Sequence, residues 1–287
     1  MSACYTPQQY KSDLKPVWCP GCGDFGVLNS LYKALADMKC EPHETIVVSG
    51  IGCSSRLPGY VETYGFNSLH GRALPLAVGA KLASPSMRVI AVGGDGDGVA
   101  IGGNHFLHTS RRNTDLTYIL MDNEIYGLTK GQAAPTTPIG DKTKSTTYGN
   151  PEQAVDPCAL AISFGATWVG RGFSGDIKGT TELMKLAMAH KGFAFLNIIS
   201  PCVTWRGDDQ HKELRAKQKA IPGDHDRTSR ETALHFANGT ESLWTGVLYE
   251  VQRPTLVDEM LEIRFKAQGE KQPPAKSDLL KKFAPAF

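Results

Sequence analysis

The chain has no dominant charge and no long apolar run. Its 31 Lys and Arg nearly balance 29 Asp and Glu, and a net charge of +2 gives no support for nucleic acid or an anionic membrane as the main partner. No stretch approaches the roughly 18 apolar residues of a membrane span, and the first residues, MSACYTPQQYKSD, lack the basic-then-apolar pattern of a secretory signal. We therefore expect a cytoplasmic protein that binds neither membrane nor nucleic acid.

Glycine and cysteine, by contrast, are plentiful. The 30 glycines among 287 residues exceed the typical share of about 7%. The seven cysteines are an odd number. Structural disulfides are rare in the cytoplasm, where grouped cysteines more often hold a metal. A metal or metal cluster is therefore expected before any disulfide framework.

Composition divides the chain near residue 202. Charged residues make up about 16% of residues 1–202 and about 32% of residues 203–287, and 25 of the 30 glycines lie in the first part. We expect residues 1–202 to form the catalytic domain. Residues 203–287 are expected to form a polar C-terminal extension that serves contacts between subunits.

Short apolar segments alternate with helical patterns before residue 202. Strands are predicted where the segments are short, rich in β-branched residues and apolar on both faces, at residues 45–49, 88–92, 116–122 and 194–200. Helices are predicted at residues 25–38, 73–83, 157–164 and 181–190 and, in the extension, at 241–251 and 255–265. This alternation predicts an α/β fold with a doubly wound, mostly parallel sheet, in which ligands bind beyond the carboxyl ends of the strands.

A loop rich in glycine and aspartate, GGDGDG, follows the strand predicted at 88–92. Its spacing is not the G-x-G-x-x-G of a dinucleotide site, and Asp95 would repel a diphosphate unless a cation lay between them. Mg²⁺ takes oxygen ligands and bridges phosphates, and Asn123 offers a second oxygen at the end of the next strand, on the same sheet edge. The alternative is that Asp95 only caps a helix and Asn123 only forms a turn.

This spacing resembles the thiamine diphosphate-binding motif, in which an aspartate, an asparagine and a backbone carbonyl two residues later hold Mg²⁺ on the diphosphate. The resemblance implies that Asp95, Asn123 and the carbonyl of Ile125 are the Mg²⁺ ligands. Asp122 stands where many members have a first asparagine, a position that does not ligate the metal. The residues implied to flank the cofactor are Gly94, Gly96, Asp97, Gly127 and Leu128.

The cysteines divide into four with a possible shared role and three without one. Cys19 and Cys22 form the only CxxC pair, which alone could bind zinc, act as a redox dithiol or be inert; no second CxxC follows at zinc-ribbon spacing. Cys53 and Cys202 each follow a predicted strand and so lie on the cofactor edge. Four thiolates from distant loops suit an iron–sulfur cluster. The remaining cysteines are Cys4, Cys40 and Cys158, of which the last two are expected to be small buried side chains.

The segments WCPGCGD, GIGCSS, LHGRA and SPC, taken with the thiamine motif, resemble the β subunits of two-subunit 2-oxoacid:ferredoxin oxidoreductases. The resemblance covers about residues 16–205. It implies a [4Fe–4S] cluster held by Cys19, Cys22, Cys53 and Cys202. The cofactor contacts that it implies fall on Ile51, Gly52, Cys53 and Ser54 and on His70, Gly71, Arg72 and Ala73.

The activity implied by the resemblance is the oxidative decarboxylation of a 2-oxoacid, with coenzyme A and ferredoxin, or its CO₂-fixing reverse. The segment GLTKGQAAPTTP looks more like the 2-oxoglutarate branch than the pyruvate branch, so succinyl-CoA is the expected product. Thiamine enzymes also need a glutamate from a second domain, for which residues 203–287 offer no room. We therefore expect an α subunit, in an (αβ)₂ assembly, that also carries most of the coenzyme A site.

Two basic residues are candidates for catalysis. Arg56 stands where the family often has a basic residue facing the substrate carboxylate, which a guanidinium can grip with two parallel bonds; an exposed, salt-bridging arginine is the alternative. His70 is expected to bond the diphosphate or to exchange protons, with a structural histidine as the alternative. His105 and His108 are interpreted as helix-face residues.

Other protein classes stay open at this point. A pyruvate-specific relative, a non-redox thiamine-dependent decarboxylase or synthase, and a zinc-bound scaffold protein would each share part of the pattern. A dinucleotide oxidoreductase ranks last because of the charge on Asp95.

Overall fold

The computed structural model describes residues 5–239 and 241–268, within which the chain builds one large sheet with helices on both faces. The strands are, in chain order, β1 (Thr45–Ser49), β2 (Tyr64–Asn67), β3 (Arg88–Gly94), β4 (Leu116–Asp122), β5 (Ile125–Tyr126), β6 (Gln132–Ala133), β7 (Trp168–Phe173), β8 (Phe193–Ile199), β9 (Gln218–Ala220) and β10 (Leu243–Glu250). The helices are α1 (Asp24–Asp37), α2 (Ala73–Ala83), α3 (Gly103–Arg112), α4 (Pro157–Phe164), α5 (Ile177–Ala189), α6 (Val203–Arg206), α7 (Gln210–Lys217), α8 (Arg230–Ala237) and α9 (Leu256–Gln268).

Eight strands form the sheet in the order β2-β1-β3-β4-β8-β7-β10-β9, and β5 pairs with β6 outside it. Neighbouring strands of the sheet are parallel except β7 and β10, which are antiparallel. Every residue of the central strands β4 and β8 is buried, as expected of parallel strands covered on both faces. The predicted doubly wound α/β fold is thus confirmed.

Two hydrophobic clusters lie on the opposite faces of this sheet. On one face, α1 and α5 contribute Leu31, Leu35 and Met184. On the other, Phe106 of α3 packs its ring against Tyr118 and Phe195. Because the sheet is fixed from both faces, the loops that follow its strands start from a rigid edge.

The helix start at Asp156 follows from its sequence. The Asp156 carboxylate accepts a hydrogen bond from the backbone amide of Ala159 at 2.8 Å, and Pro157 takes the first helical position. The predicted bounds of α2 and α4 match the structure, and those predicted for α1, α5 and β8 differ by a few residues.

The prediction of a helix at residues 241–251 is wrong, because strand β10 forms within this segment. Trp244, Val247 and Tyr249 favour strands, and the open edge of β7 supplies a pairing partner that a local pattern does not reveal. Part of the predicted extension therefore belongs to the sheet, since β10 and β9 form its last two strands. The domain division at residue 202 stays a prediction.

Among the described residues, no helix combines the length and the apolar character that crossing a bilayer requires. Cys4 and residues 269–287 of the predicted extension lie outside the described residues.

Candidate functional site

The loops at the carboxyl ends of β1, β3 and β4 surround a cavity of about 190 Å³. Most of the predicted cofactor contacts line it, namely Ile51, Gly52, Cys53, Ser54, His70, Gly94, Asp95, Gly96, Asp97, Asn123, Ile125, Gly127 and Leu128. Gly71, Arg72 and Ala73 do not line the cavity. Ala73 is buried at the start of α2, and the guanidinium of Arg72 contacts the ring of His105.

Asp97 ties three parts of the site together. Its Oδ1 accepts hydrogen bonds from the Ile51 amide at 3.0 Å, from the Gly71 amide at 2.7 Å and from Nδ1 of His70 at 2.9 Å. The Asp97 side chain is buried. Because a carboxylate can only accept, Nδ1 of His70 is the donor in this bond, and Nε2 is the acceptor nitrogen of the neutral ring. Sequence reasoning placed Asp97 beside the cofactor but gave it no such role.

Asp95 is buried next to a second buried acid, Asp122. Burial and the Asp122 charge raise the pKa of Asp95 well above its usual range. Oδ2 of Asp95 accepts a 2.6 Å hydrogen bond from the Thr136 hydroxyl, and Oδ2 of Asp122 accepts one from Nδ2 of Asn197 at 3.2 Å. Two adjacent buried carboxylates with only neutral donors are an environment that a divalent cation would stabilise.

The loop after β4 presents the oxygens next to this pair. Oδ1 of Asn123 accepts a hydrogen bond from the Ile125 amide at 3.1 Å, which closes a tight turn with Glu124 at φ 58°. The Tyr126 hydroxyl donates to the Gly96 carbonyl at 3.1 Å. A Cβ at Gly96 would lie 2.2 Å from the Tyr126 ring, so only glycine permits this contact between the two loops.

These residues suit a hard cation by the chemistry of their donors. The set of Asp95, Asn123 and the Ile125 carbonyl consists only of oxygens, as Mg²⁺ prefers. Among the described residues, no three or more His, Cys, Asp or Glu side chains are grouped as ligands of a metal ion. The predicted Mg²⁺ set contains only one such side chain and relies on an amide and a backbone oxygen for the rest.

The four predicted cluster cysteines converge at the neighbouring part of this edge. A Cβ built at Gly127 would lie 3.7 Å from the sulfurs of both Cys53 and Cys202. Cys22 and Cys19 lie within electrostatic reach of these two sulfurs. Burial, with a contribution from the Asp24 charge, raises the pKa of Cys53 to about 11 and moves the pKa of Cys22 and Cys202 upward as well.

Among the described residues, no three of these thiols are grouped as ligands of a single metal ion. Zinc–sulfur bonds of about 2.3 Å hold the thiolates of one zinc close together. A [4Fe–4S] cluster is larger than a single ion, and each thiolate binds a different iron, so the four sulfurs lie farther apart than around one zinc ion. The donor set, four cysteines from three separate segments, is the one such a cluster takes.

Neighbouring residues fix the cysteine segments. Nε1 of Trp18 donates to the Cys53 carbonyl at 2.7 Å, and the Cys202 amide donates to Oε1 of the buried Gln210 at 3.0 Å. Asp24, two residues after Cys22, is buried and accepts a 2.6 Å hydrogen bond from the Ser200 hydroxyl. Burial raises the pKa of Asp24 to about 6.

The remaining described cysteines stand apart from this group, as predicted. Cys40 and Cys158 are both buried, and burial raises the pKa of Cys158 to about 12. A thiol with this pKa is not nucleophilic at neutral pH.

Arg56 does not line the cavity, and it is exposed. Within residues 5–239 and 241–268 its guanidinium forms no ion pair, so the salt-bridged alternative is not realised there. Its charge lowers the pKa of Cys53 slightly against the larger effect of burial. His105 and His108 lie on α3 as predicted, each in contact with an arginine.

Sequence reasoning missed several residues of the cavity wall. Asp24, Met121, Tyr126 and Thr129 line it, and Thr136, within the GLTKGQAAPTTP segment, donates a hydrogen bond to Asp95. Asp24 is the last residue of the WCPGCGD segment, Tyr126 directly precedes the GLTKGQAAPTTP segment, and Thr129 and Thr136 lie within the latter. These segments carry the resemblance, but the resemblance assigned no role to these residues.

Comparisons with known proteins agree with this geometry. Residues 50–198 match the family described as thiamine pyrophosphate enzyme, C-terminal TPP binding domain. Residues 202–264 match the family described as the C terminal of the pyruvate ferredoxin oxidoreductase beta subunit.

Curated relatives are subunits of one enzyme group. The chain is 47% identical over 196 residues to 2-oxoacid:ferredoxin oxidoreductase 2, subunit beta, from Aeropyrum pernix, a match that covers 68% of this chain and 63% of the relative. It is 37% identical over 265 residues to 2-oxoglutarate synthase subunit KorB from Methanocaldococcus jannaschii, covering 90% of this chain and 96% of the relative. The chain thus spans less than two thirds of the Aeropyrum relative and nearly all of the Methanocaldococcus one.

A solved structure shares the whole fold. The 2-oxoglutarate:ferredoxin oxidoreductase from Magnetococcus marinus, with 2-oxoglutarate, coenzyme A and succinyl-CoA bound, aligns with a TM-score of 0.91 at 41% identity. The alignment covers 98% of this chain and 97% of that one.

Proposed function

Because the chain belongs to the family of 2-oxoacid:ferredoxin oxidoreductase β subunits, we propose that it forms the thiamine diphosphate-binding half of such an enzyme. The proposed reaction joins a 2-oxoacid and coenzyme A to give an acyl-CoA and CO₂, while ferredoxin is reduced. The same site would serve the CO₂-fixing reverse direction.

The observation that carries the proposal is the position of Gly127. A side chain there would touch the sulfurs of Cys53 and Cys202 at 3.7 Å and the side-chain nitrogen Nδ2 of Asn123 at 3.8 Å. The proposed cluster ligands and a proposed Mg²⁺ ligand therefore meet at one residue. Such proximity suits an enzyme that passes electrons from one cofactor to the other, and it has no use in a non-redox thiamine enzyme.

We assign the two metal sites to the residues described above. Asp95, Asn123 and the Ile125 carbonyl would hold Mg²⁺ on the diphosphate, and Cys19, Cys22, Cys53 and Cys202 would hold a [4Fe–4S] cluster. The buried Asp95–Asp122 pair supports the first assignment, because a cation would offset its charge. The convergence of four thiols that no described disulfide uses supports the second.

When bound, thiamine diphosphate supplies the electron sink for decarboxylation and the cluster accepts electrons one at a time. The chain's own residues bind and orient. Asp97 holds the loops of Ile51 and Gly71 against the cavity and fixes the ring of His70, whose Nε2 can hold a proton at the cavity wall. Arg56, exposed and without an ion pair among the described residues, is free to meet a substrate carboxylate.

A partner α subunit would complete the site, within an (αβ)₂ assembly that uses ferredoxin and carries most of the coenzyme A site. Apolar side chains are exposed around the cavity, including Ile51 at 45% and Leu128 at 47%. On α9 of the proposed extension, Met260, Leu261, Ile263 and Phe265 are exposed as well. Surfaces of this kind suit contacts between subunits. We place the assembly in the cytoplasm.

The proposed substrate is 2-oxoglutarate, with succinyl-CoA as product. Two names support it: the Methanocaldococcus relative belongs to a 2-oxoglutarate synthase, and the Magnetococcus structure holds 2-oxoglutarate and succinyl-CoA. Pyruvate is the second candidate, because the description of the family matched at residues 202–264 names a pyruvate ferredoxin oxidoreductase.

Steady-state ferredoxin reduction by the co-expressed αβ complex tests the function. Activity with 2-oxoglutarate that exceeds activity with pyruvate, and that depends on coenzyme A and added thiamine diphosphate, is expected. Higher activity with pyruvate would overturn the substrate assignment, and turnover by the isolated β chain would overturn the need for the α subunit. Metal analysis that finds zinc without iron would favour a scaffold role.

The role of Arg56 has its own test. Arg56→Ala should raise the KM for the 2-oxoacid at least tenfold, because a charge-assisted pair is lost, while the iron content stays the same. An unchanged KM would remove Arg56 from the substrate site. Arg253→Ala, an exposed arginine that contacts the Arg111 and Gly165 carbonyls, is a matched control.

A further inference from the structure

Helix α6, which follows Cys202, is fastened to the loop that contains Asn123. Nε1 of Trp205 donates to the Gly127 carbonyl at 2.9 Å. The Trp205 ring also lies against Gly131, where a Cβ would meet it at 3.0 Å and where φ is +92°. A side chain at Gly131 would thus face both a strained backbone and the indole, so this contact requires glycine.

Arg206 makes a second attachment to the same loop. A guanidinium nitrogen lies 2.8 Å from the carboxylate of Glu124 and 2.8 Å from that of Asp141. The Arg206 side chain is only 17% exposed. Glu124 is the residue between the two proposed Mg²⁺ ligands on this loop, so Arg206 acts directly on the turn that presents them.

The same short helix is anchored at its start by Cys202. The amides of Trp205 and Arg206 both donate to the Cys202 carbonyl, at 3.3 and 2.9 Å. Any movement of the 123–131 loop is therefore transmitted through a few residues of chain to a proposed cluster ligand. The Trp205–Gly127 contact joins residues that are 78 positions apart in sequence and that come after different strands of the large sheet, β8 and β4.

We infer that Trp205 and Arg206 are positioning residues that hold the Asn123-containing loop onto the Cys202 segment, and so fix the spacing between the proposed Mg²⁺–diphosphate ligands and the cysteine sulfurs. The inference rests on the proposed function and extends it to residues that do not line the cavity. Both attachments are made within this chain.

The test measures the Kd of thiamine diphosphate, at saturating Mg²⁺, together with iron per β chain, on the purified αβ complex. Arg206→Gln should raise this Kd about tenfold, within the range seen when groups that orient metal ligands are removed, while the iron content stays at the wild-type value. Arg206→Lys should recover part of the loss, since it keeps a charge that can reach one of the two carboxylates. Arg227→Gln, which removes an exposed arginine paired with Glu250, should leave the Kd unchanged.

Trp205→Phe provides a second, milder variant. Phenylalanine keeps a ring against Gly131 but removes the hydrogen bond to the Gly127 carbonyl, and the Kd should rise severalfold. Wild-type Kd values in both Arg206→Gln and Trp205→Phe would overturn the positioning role while leaving the proposed function intact. A wild-type complex that binds neither thiamine diphosphate nor iron would instead overturn the proposed function itself.

Discussion

The hydrogen bond from Thr136 to Asp95 gives a direct test of the proposed Mg²⁺ site. Both side chains are buried, and Oγ1 lies 2.6 Å from Oδ2 of Asp95. Thr136→Val replaces the hydroxyl by a methyl group of similar size. The carboxylate then loses a donor that both orients it and stabilises its ionised form.

The magnitude follows from the geometry. A hydrogen bond to a charged group contributes about 1.5–3 kcal/mol, and each 1.4 kcal/mol is a factor of about ten in an equilibrium constant. Thr136→Val should therefore weaken Mg²⁺ binding, at saturating thiamine diphosphate, roughly 10- to 100-fold. The affinity is measured as retention of thiamine diphosphate by the αβ complex across a Mg²⁺ titration.

Two controls make the result specific. Thr136→Ser keeps a hydroxyl and should stay within about threefold of wild type. Thr232→Val removes an exposed hydroxyl of α8 that donates to the Asp226 and Ser229 carbonyls, and it should have no effect. Wild-type Mg²⁺ affinity in Thr136→Val, with Thr136→Ser also normal, would refute the assignment of Asp95 as a metal ligand.

Further predictions concern the cysteines and the loop contact at Gly96. Cys202→Ser should remove most of the iron and the brown colour that a bound iron–sulfur cluster gives, whereas Cys40→Ser should keep both; equal iron in the two variants would exclude Cys202 as a ligand. Gly96→Ala forces a Cβ to within 2.2 Å of the Tyr126 ring and should cost about 1–3 kcal/mol of stability, which a lower Tm would report and which Tyr126→Leu should partly restore. Cys158 should react with iodoacetamide only after denaturation, since it is buried and burial raises its pKa to about 12; labelling in the native complex would contradict this.

Much of the fold could be predicted because its central strands have a clear local pattern. The strand predicted at 116–122 has the bounds of β4, and its continuous apolar character follows from the burial of every residue in it. Strand β10 could not be predicted in this way. Its conformation is decided by pairing with β7, a contact between segments some 75 residues apart.

The candidate site also contains residues that the local sequence predicts and residues that it does not. Residues that directly follow a strand, such as Asp95 and Asn123, could be placed at one edge from the sequence alone. Thr136 and Trp205 could not, because each acts through a tertiary contact that the local sequence does not reveal. The hydrogen bonds of Asp97 could not be predicted for another reason. Its place in the GDGDG loop indicates a residue beside the cofactor, but it does not reveal that Oδ1 accepts hydrogen bonds from two backbone amides and a ring nitrogen.

The shared carboxylate of Asp97 has a consequence for redesign of the site. The loops of Ile51 and Gly71 start from different strands, yet both end on the same oxygen atom. Neither loop can be replaced on its own by a loop from another enzyme. A new backbone path that moves one amide away removes a hydrogen bond to Oδ1 of Asp97, and this buried oxygen, which also holds the other loop, is then under-satisfied. Libraries that aim to change the substrate would therefore do best to keep these two amides and Asp97 constant, and to vary the exposed side chains that stand outside this junction.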